Sequence, residues 1–546
     1  MTPHTSGARD RDWSVIYQIY PRSFQDSDGD GIGDLPGVRS RIPALVELGV
    51  SAIWLSPFYA SPQKDGGYDV ADYCAVDPVF GAIDDLVDLV EDAHAVDISV
   101  LIDLIPNHVS TAHVWFQNAL RDGPLSVSAQ RFHFRRGSGA NGLGPPNNWE
   151  SEFGGSAWSR ASELAPNWPD DLWYLHLFDS TQADLNWASD AVRKDFLGVL
   201  DFWLDRGIDG FRIDVAHGLI KDPRFPDAEL ADGSAFAERP YWRQPGIHLL
   251  FEEWRQHVEA RDATVMFVAE AWVSPPSRLA EWVSPGRLHQ AFNFELLELA
   301  WSAPELRASV DAAIDSMRAV NASPTWVLSN HDVVRVRTRL GSPHPLRPGH
   351  GIHPSTLAEI DPIRGEVLAR VAAAVVLALP GSTYVYQGEE LGLPEVDVTA
   401  SSRQDPTFAR SSGRIIGRDG CRVPLPWSSD EPAFGFSASG QSWLQQPRTW
   451  VTLARDAQRG DPRSFLSLYT AAIRLRREHG IANAELRWNL SHDDVLDFFV
   501  AGMRVVANLG EKVWSGDGGG DCVLTSSGLP FACRLAPGEA AWFLQQ

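Results

Sequence analysis

The chain has 546 residues and a mass of 60.2 kDa, with 44% hydrophobic and 22% charged residues, the make-up of a water-soluble globular protein of more than one domain. Its formal net charge of −24 argues against nucleic acid or an anionic membrane as partner. The 21 Trp are many for this length and suit platforms for flat ligand faces such as sugars, although most will be core.

The opening residues, Met1-Thr2-Pro3-His4-Thr5-Ser6-Gly7, lack the basic-then-apolar pattern of a secretion signal. The longest aliphatic run, 371–379, is too short to cross a bilayer. Cys74, Cys421, Cys522 and Cys533 show no metal-ligand spacing. Cys522 and Cys533 are close enough in sequence to pair across a hairpin, but buried free thiols are the expectation in a reducing compartment. A cytoplasmic protein follows.

Strand-like apolar runs alternate with helix-period segments along the chain. Residues 14–19 read as the first strand, 42–48 as part of a helix, 51–56 as the second strand and 83–94 as a helix. The third strand, 100–105, ends in Pro106-Asn107-His108. A Gly/Pro/Trp/Ser-rich stretch, 108–186, is too long for an ordinary connection and reads as an inserted subdomain. Alternation resumes with a helix at 191–206, a strand at 208–215, a helix at 247–258 and a strand at 265–269. A short helix near 278–283, a weak strand at 290–294, a helix at 306–320 and a strand at 325–329 follow. A helix at 366–379, the eighth strand at 383–386, a long loop and a helix at 465–479 complete the series. Eight alternating strands predict an α/β fold, a (β/α)₈ TIM barrel over 1–107 and 187–480. A doubly wound sheet would need a Gly-rich phosphate turn, and none is present. Short alternating runs over 481–546 predict a small C-terminal all-β, sandwich-like domain.

In such a barrel, function gathers at the C-terminal strand ends. Gly210-Phe211-Arg212-Ile213-Asp214 delivers Arg212 and Asp214 to one face, two residues apart on a strand. Asp103 and His108 follow the third strand, Glu270 the fifth, and His331-Asp332 the seventh. Each alone reads as a helix cap, an ion pair or a metal ligand; together they repel one another and imply use. Facing carboxylates suit cleavage of a glycosidic bond. Asp214, beside Arg212, is expected to stay ionised as the nucleophile. Glu270, beside Trp272, is expected to be desolvated and raised as the acid, with Asp332 holding sugar hydroxyls.

Asp26-Ser27-Asp28-Gly29-Asp30-Gly31-Ile32-Gly33-Asp34 has a Ca²⁺-type pattern, with hard oxygens at alternate positions and a carbonyl from Ile32. It lacks the twelfth-position Glu of an EF-hand, Gly37 standing there instead. Asp26, Asp28, Asp30, Ile32 and Asp34 are the expected ligands of a structural Ca²⁺, with Mg²⁺ the alternative and a solvated acidic turn the plainer reading.

Taken together, these residues resemble the α-amylase superfamily, glycoside hydrolase family 13, in its α-glucosidase and oligo-1,6-glucosidase branch. The resemblance rests on Asp103-Leu104-Ile105-Pro106-Asn107-His108, the 210–217 stretch, Val268-Ala269-Glu270, Ser329-Asn330-His331-Asp332, Gln182-Ala183-Asp184-Leu185-Asn186 and the opening strand. It implies a retaining double displacement with Asp214, Glu270 and Asp332 as the catalytic residues, and sugar contacts from His108, Arg212 and His331. It also supports the structural Ca²⁺, on the side of the barrel away from catalysis. Asp65-Gly66-Gly67-Tyr68 and Gly417-Arg418-Asp419-Gly420-Cys421-Arg422-Val423-Pro424 match segments that close a one-glucose pocket, Asp65 pairing with Arg418, Tyr68 stacking on the sugar and Phe153 forming a wall. The bland alternative is a loop salt bridge between Asp65 and Arg418.

By resemblance to that branch, where Val after the nucleophile accompanies α-1,6 preference, Val215 suggests α-1,6 linkages, yet Ala216-His217 and Gln182-Ala183-Asp184 depart from that pattern, so short α-1,4 substrates such as maltose are expected. Glucosyl transferases and sucrose isomerases share the triad. Non-enzymatic transporter partners share the barrel but would show an anchor and broken catalytic positions. No organic cofactor is expected. The partner is a short oligosaccharide, and the patterns specify neither monomer nor homo-oligomer.

Overall fold

The structure is a computed structural model that describes residues 11–229, 239–489 and 492–545. Eight parallel strands form its centre: β1 (Val15–Ile19), β2 (Ala52–Leu55), β3 (Ser99–Leu104), β4 (Gly210–Ile213), β5 (Met266–Ala269), β6 (Gln290–Ala291), β7 (Thr325–Val327) and β8 (Ser382–Tyr386). Their hydrogen-bonded order is β6-β5-β4-β3-β2-β1-β8-β7. A single parallel bridge between Asn293 and Trp326 carries the ring from β6 to β7. The result is a nearly closed (β/α)₈ barrel, as expected. The strands are buried on both faces, which explains their near-continuous apolar sequence.

Period two sorts their side chains. Ile16 joins Trp54, Leu101, Val268, Phe292 and Tyr384 inside the barrel, whereas Val15, Tyr17 and Ile19 pack outward beneath the helices. The sixth strand is only Gln290–Ala291, shorter than the 290–294 expected, and the seventh stops at Val327. Phe292 and Phe294 leave the ladder to fill the barrel interior, Phe294 stacking on Trp272 at 4.3 Å.

Between β3 and β4 the chain leaves the barrel. His108–Ser110 pairs antiparallel with Gln182–Asp184, and Leu172–Leu175 lies between Phe134–Arg136 and Trp158–Arg160 in a small antiparallel sheet. After the last barrel helix, Phe465–Glu478, a five-stranded antiparallel sheet is formed in the order Leu486–Trp488, Val495–Val500, Met503–Asn508, Glu539–Leu544 and Asp521–Thr525. It packs on the Ala/Val-rich helix Pro362–Val376, where Trp542 Nε1 donates to the Ala374 carbonyl at 3.0 Å.

Two expectations are corrected. All four cysteines are free, but only Cys421 is buried; Cys522 and Cys533 are exposed and Cys74 is half-buried. The Asp26–Asp34 loop joins β1 to the helix Leu35–Ser40, so it leaves the barrel at the C-terminal rim, where the rim carboxylates also stand, and not on the opposite side. No helix among the described residues is long and apolar enough to cross a membrane.

Candidate active site

Parallel register brings the rim charges together. Arg212 on β4 sits level with Asp103 on β3, and its Nη1 lies 2.6 Å from both Asp103 Oδ1 and Asp214 Oδ1. Its Nη2 is 3.7 Å from Glu270 Oε2, so one guanidinium spans three carboxylates. Asp103 Oδ2 also accepts from Trp54 Nε1 at 3.0 Å and from the Tyr68 hydroxyl at 3.2 Å. The chain then turns sharply. Val215 has a φ of 44°, a conformation a β-branched residue adopts only under constraint, and its N–H donates to Glu270 Oε2 at 2.7 Å.

Burial raises both Asp214 and Glu270; for Asp214 the charges of Glu270 and Asp103 add to it, and Arg212 opposes it in both. The expectation that Asp214, beside Arg212, stays ionised thus meets an opposing cause, since burial and the neighbouring carboxylates push it upward. Geometry ranks the two carboxyls: Arg212 touches Asp214 at 2.6 Å but reaches Glu270 only at 3.7 Å. Asp332 differs. Burial would raise it, but His331, Arg418 and Arg422 hold it well below the ordinary carboxylate range. Its Oδ1 lies 3.1 Å from Arg418 Nη1 and 2.9 Å from Arg422 Nη2.

A pocket opens above these groups, with a cavity of about 190 Å³ lined by Asp65, Tyr68, His108, Phe153, Asp214, Glu270, Asp332 and Arg418. Arg418 closes one side. Its Nη2 is 2.6 Å from Asp65 Oδ1, its Nε is 2.6 Å from Asp405 Oδ2, and its guanidinium lies 4.9 Å from the centre of the Phe153 ring. Burial lifts Asp65 to about 6 against the pull of Arg418, while Arg418 helps to bring Asp405 to about 2 despite its burial. Gln182 Nε2 reaches Asp65 Oδ2 at 3.0 Å and His108 Nε2 at 3.2 Å. Burial drops His108 to about 4, so it is neutral near pH 7.

Two of the expected sugar contacts stand behind the lining. His331 is fully buried, stacked on Tyr68 at 5.2 Å, with Nδ1 2.7 Å from Gln18 Nε2. Arg212 is 2% exposed and holds the carboxylates rather than the cavity surface. Sequence reading missed Asp405, which follows an irregular loop and caps the five-residue helix Pro406–Arg410. It also missed Arg422, although that residue lies in the same motif as Arg418. Phe178, Trp242, Arg347 and His350, which also line the cavity, come from loops without periodic signal.

Away from the cavity, carboxylate oxygens of Asp26, Asp28 and Asp34 converge within 4.8 Å of one another. That spacing fits opposite ligands across a Ca²⁺ shell with bonds of about 2.3–2.6 Å. Asp30 stands outside the trio; its Oδ1 accepts from the Ile32 N–H at 2.7 Å.

Residues 18–485 match the family model for the α-amylase catalytic domain. The chain is 33% identical to a trehalose-6-phosphate hydrolase of Escherichia coli, over 97% of this chain and 98% of the relative. It is 31% identical to an α-glucosidase of Apis mellifera, over 89% and 82%. Among solved structures, an α-glucosyl transfer enzyme superposes with a TM-score of 0.83 at 34% identity, covering 98% of this chain and 99% of the other.

Proposed function

Because the chain belongs to the α-amylase catalytic-domain family and is a glycoside hydrolase of its α-glucosidase type, we propose that it releases glucose from the non-reducing end of maltose and other short α-glucosides with retention of configuration. The observation that carries this reading is the pocket closed by Arg418 and Asp65. Its cavity is smaller than the roughly 300–1,000 Å³ of an ordinary ligand cleft, which favours one terminal ring over the interior of a polymer.

In the first step Asp214 attacks the anomeric carbon while Glu270 passes its proton to the glycosidic oxygen, and the aglycone leaves as an alcohol. In the second, Glu270 takes a proton from water, the resulting hydroxide displaces Asp214, and glucose departs. Arg212 keeps Asp214 the more acidic of the pair. Asp332, held ionised by Arg418 and Arg422, accepts hydrogen bonds from ring hydroxyls as positive charge grows at the anomeric carbon. Asp65, Tyr68, His108, Phe153 and Arg418 grip the terminal ring. We assign the acidic trio of the Asp26–Asp34 loop to one structural Ca²⁺, which would tie the loop together and take no part in catalysis.

A second reading, α-1,6 preference, is favoured by Val215 in the lining of the pocket. Maltose, isomaltose and sucrose, supplied separately at high concentration, distinguish the two. Glucose released mainly from maltose supports the first reading. Release mainly from isomaltose supports the second, and accumulation of new oligosaccharides or an isomerised sucrose would replace hydrolysis by glucosyl transfer.

A further inference from the structure

A second cavity shares a wall with the active site. It has a volume of 410 Å³ and is lined by Arg239, Arg243, Arg278, His248 and the start of the helix Ile247–Glu259, with Glu281 the acidic member of the lining. Trp242 lines both this cavity and the catalytic pocket. The Arg243 N–H donates to the His217 carbonyl at 2.7 Å, and the His217 ring, itself part of the catalytic lining, lies 4.6 Å from Trp242.

Three guanidiniums around one concavity are unusual in a chain that carries a net −24, because nothing in the overall charge favours such a cluster. Guanidiniums present paired donors that match the oxygens of a phosphate, and a helix N-terminus adds positive potential on the same side. Arg243 carries that donor set on a strained backbone, with a φ of 55°. His248 has its Nδ1 buried with no hydrogen-bond partner among the described residues, and its Nδ1–H tautomer would donate to an anion's oxygen. Among the lining residues the acidic member, Glu281, is 62% exposed in its side chain and stands 4.0 Å from His248 Nε2, and Glu252 also acts on His248. Arg243 and Arg278 already take part in other interactions, so a ligand phosphate would join or exchange with these.

We propose that this cavity is a phosphate-binding site beside the leaving-group end of the catalytic pocket, taking the phosphate monoester of a phosphorylated α-glucoside. The assignment of that end rests on the glucosidase reading; the presence of an anion site does not. The same chemistry admits free phosphate, and the experiment separates the two.

Titration calorimetry with inorganic phosphate on the wild-type chain and on Arg278→Gln reads the site without reference to catalysis. Binding by the wild type, weakened about tenfold in the variant, is expected from loss of one charged hydrogen-bond donor. Kinetics with trehalose 6-phosphate against trehalose then identifies the source. A substrate phosphate gives a preference of about tenfold or more in kcat/KM, reduced in Arg278→Gln through KM, with p-nitrophenyl α-glucoside turnover unchanged. Free phosphate instead alters p-nitrophenyl α-glucoside turnover with no such preference, and that response disappears in the variant; this would support the site and reject the substrate assignment. Equal kcat/KM for the two disaccharides together with no calorimetric signal overturns the proposal. An enzyme inert toward every α-glucoside but still binding phosphate would overturn the glucosidase reading and leave the anion site standing.

Discussion

At the residue scale the site depends on how one guanidinium is shared. Arg212 lies 2.6 Å from Asp103 and Asp214 and 3.7 Å from Glu270, and in the proposed mechanism that inequality separates nucleophile from acid in a pair that burial raises together. Asp214→Asn keeps the shape and removes the attacking charge. We expect kcat to fall by about 10⁴-fold or more, with an unchanged circular dichroism spectrum, because Arg212 retains Asp103. Near-normal turnover by this variant would end the mechanism. The Arg-x-Asp spacing made the shared face of Arg212 and Asp214 readable in the sequence. The lateral partner Asp103 was readable only as one rim acid among several, since its contact comes from the β3–β4 register.

At the scale of elements, loops rather than strands close the pocket, and Arg418 ties them together. It joins Asp65 from the loop after β2, Asp332 from the loop after β7 and Asp405 from the loop after β8. Its truncation should therefore cost stability as well as sugar binding. Arg418→Ala leaves Asp65 and Asp405 buried without their cation, a loss of about 3–5 kcal/mol, and at about 2–4 °C per kcal/mol the melting temperature should drop by roughly 6–20 °C. A variant that melts like the wild type would show the hub to be dispensable. The Asp26–Asp34 loop supplies a separate test. With Ca²⁺ bound, a chelator should lower the melting temperature by several degrees and leave kcat at 25 °C unchanged, and Asp26→Asn should abolish the difference. No shift on chelation would make the trio a metal-free turn whose carboxylates serve the backbone, as Asp26 does for the Gly29 and Gly31 N–H groups.

Across the whole molecule, burial leaves several carboxyls far above their ordinary values: Asp65 and Asp103 at about 6, Glu395 at about 7 and Glu389 at about 8, with desolvation the first cause in each. Each folded value exceeds the ordinary 3.8 or 4.5, so folding favours the protonated form. Their stabilisation is complete below about pH 4 and is lost as pH rises toward 8. Asp405, at about 2, acts the other way; its contribution is present above about pH 4 and is lost as pH falls toward 2. Buried His108, His113 and His176, each brought to about 4 by desolvation, oppose that trend below about pH 6.5, so the melting temperature should decline only between about pH 7 and pH 8.5. Glu389→Gln should flatten the upper part of that decline, because Glu389 Oε1 accepts from the Tyr469 hydroxyl at 2.8 Å while Oε2 lacks a partner among the described residues. A flat profile in the wild type would mean that water reaches these groups.

The sequence by itself determined the barrel, the rim carboxylates and the oxygen-rich loop, because each is written in local pattern: two-residue alternation in strands, helix period between them, acidic residues at fixed offsets. It also marked Asp65 and Arg418, through motifs rather than periodicity. Tertiary structure alone decided what lies between elements. The closing bridge at Asn293 and Trp326, the partnership of Asp405 with Arg418, and the arginine cavity behind Trp242 join residues of separate elements and loops. Hydrogen bonds, ion pairs and desolvation depend on distances across the fold, and no local pattern encodes those distances.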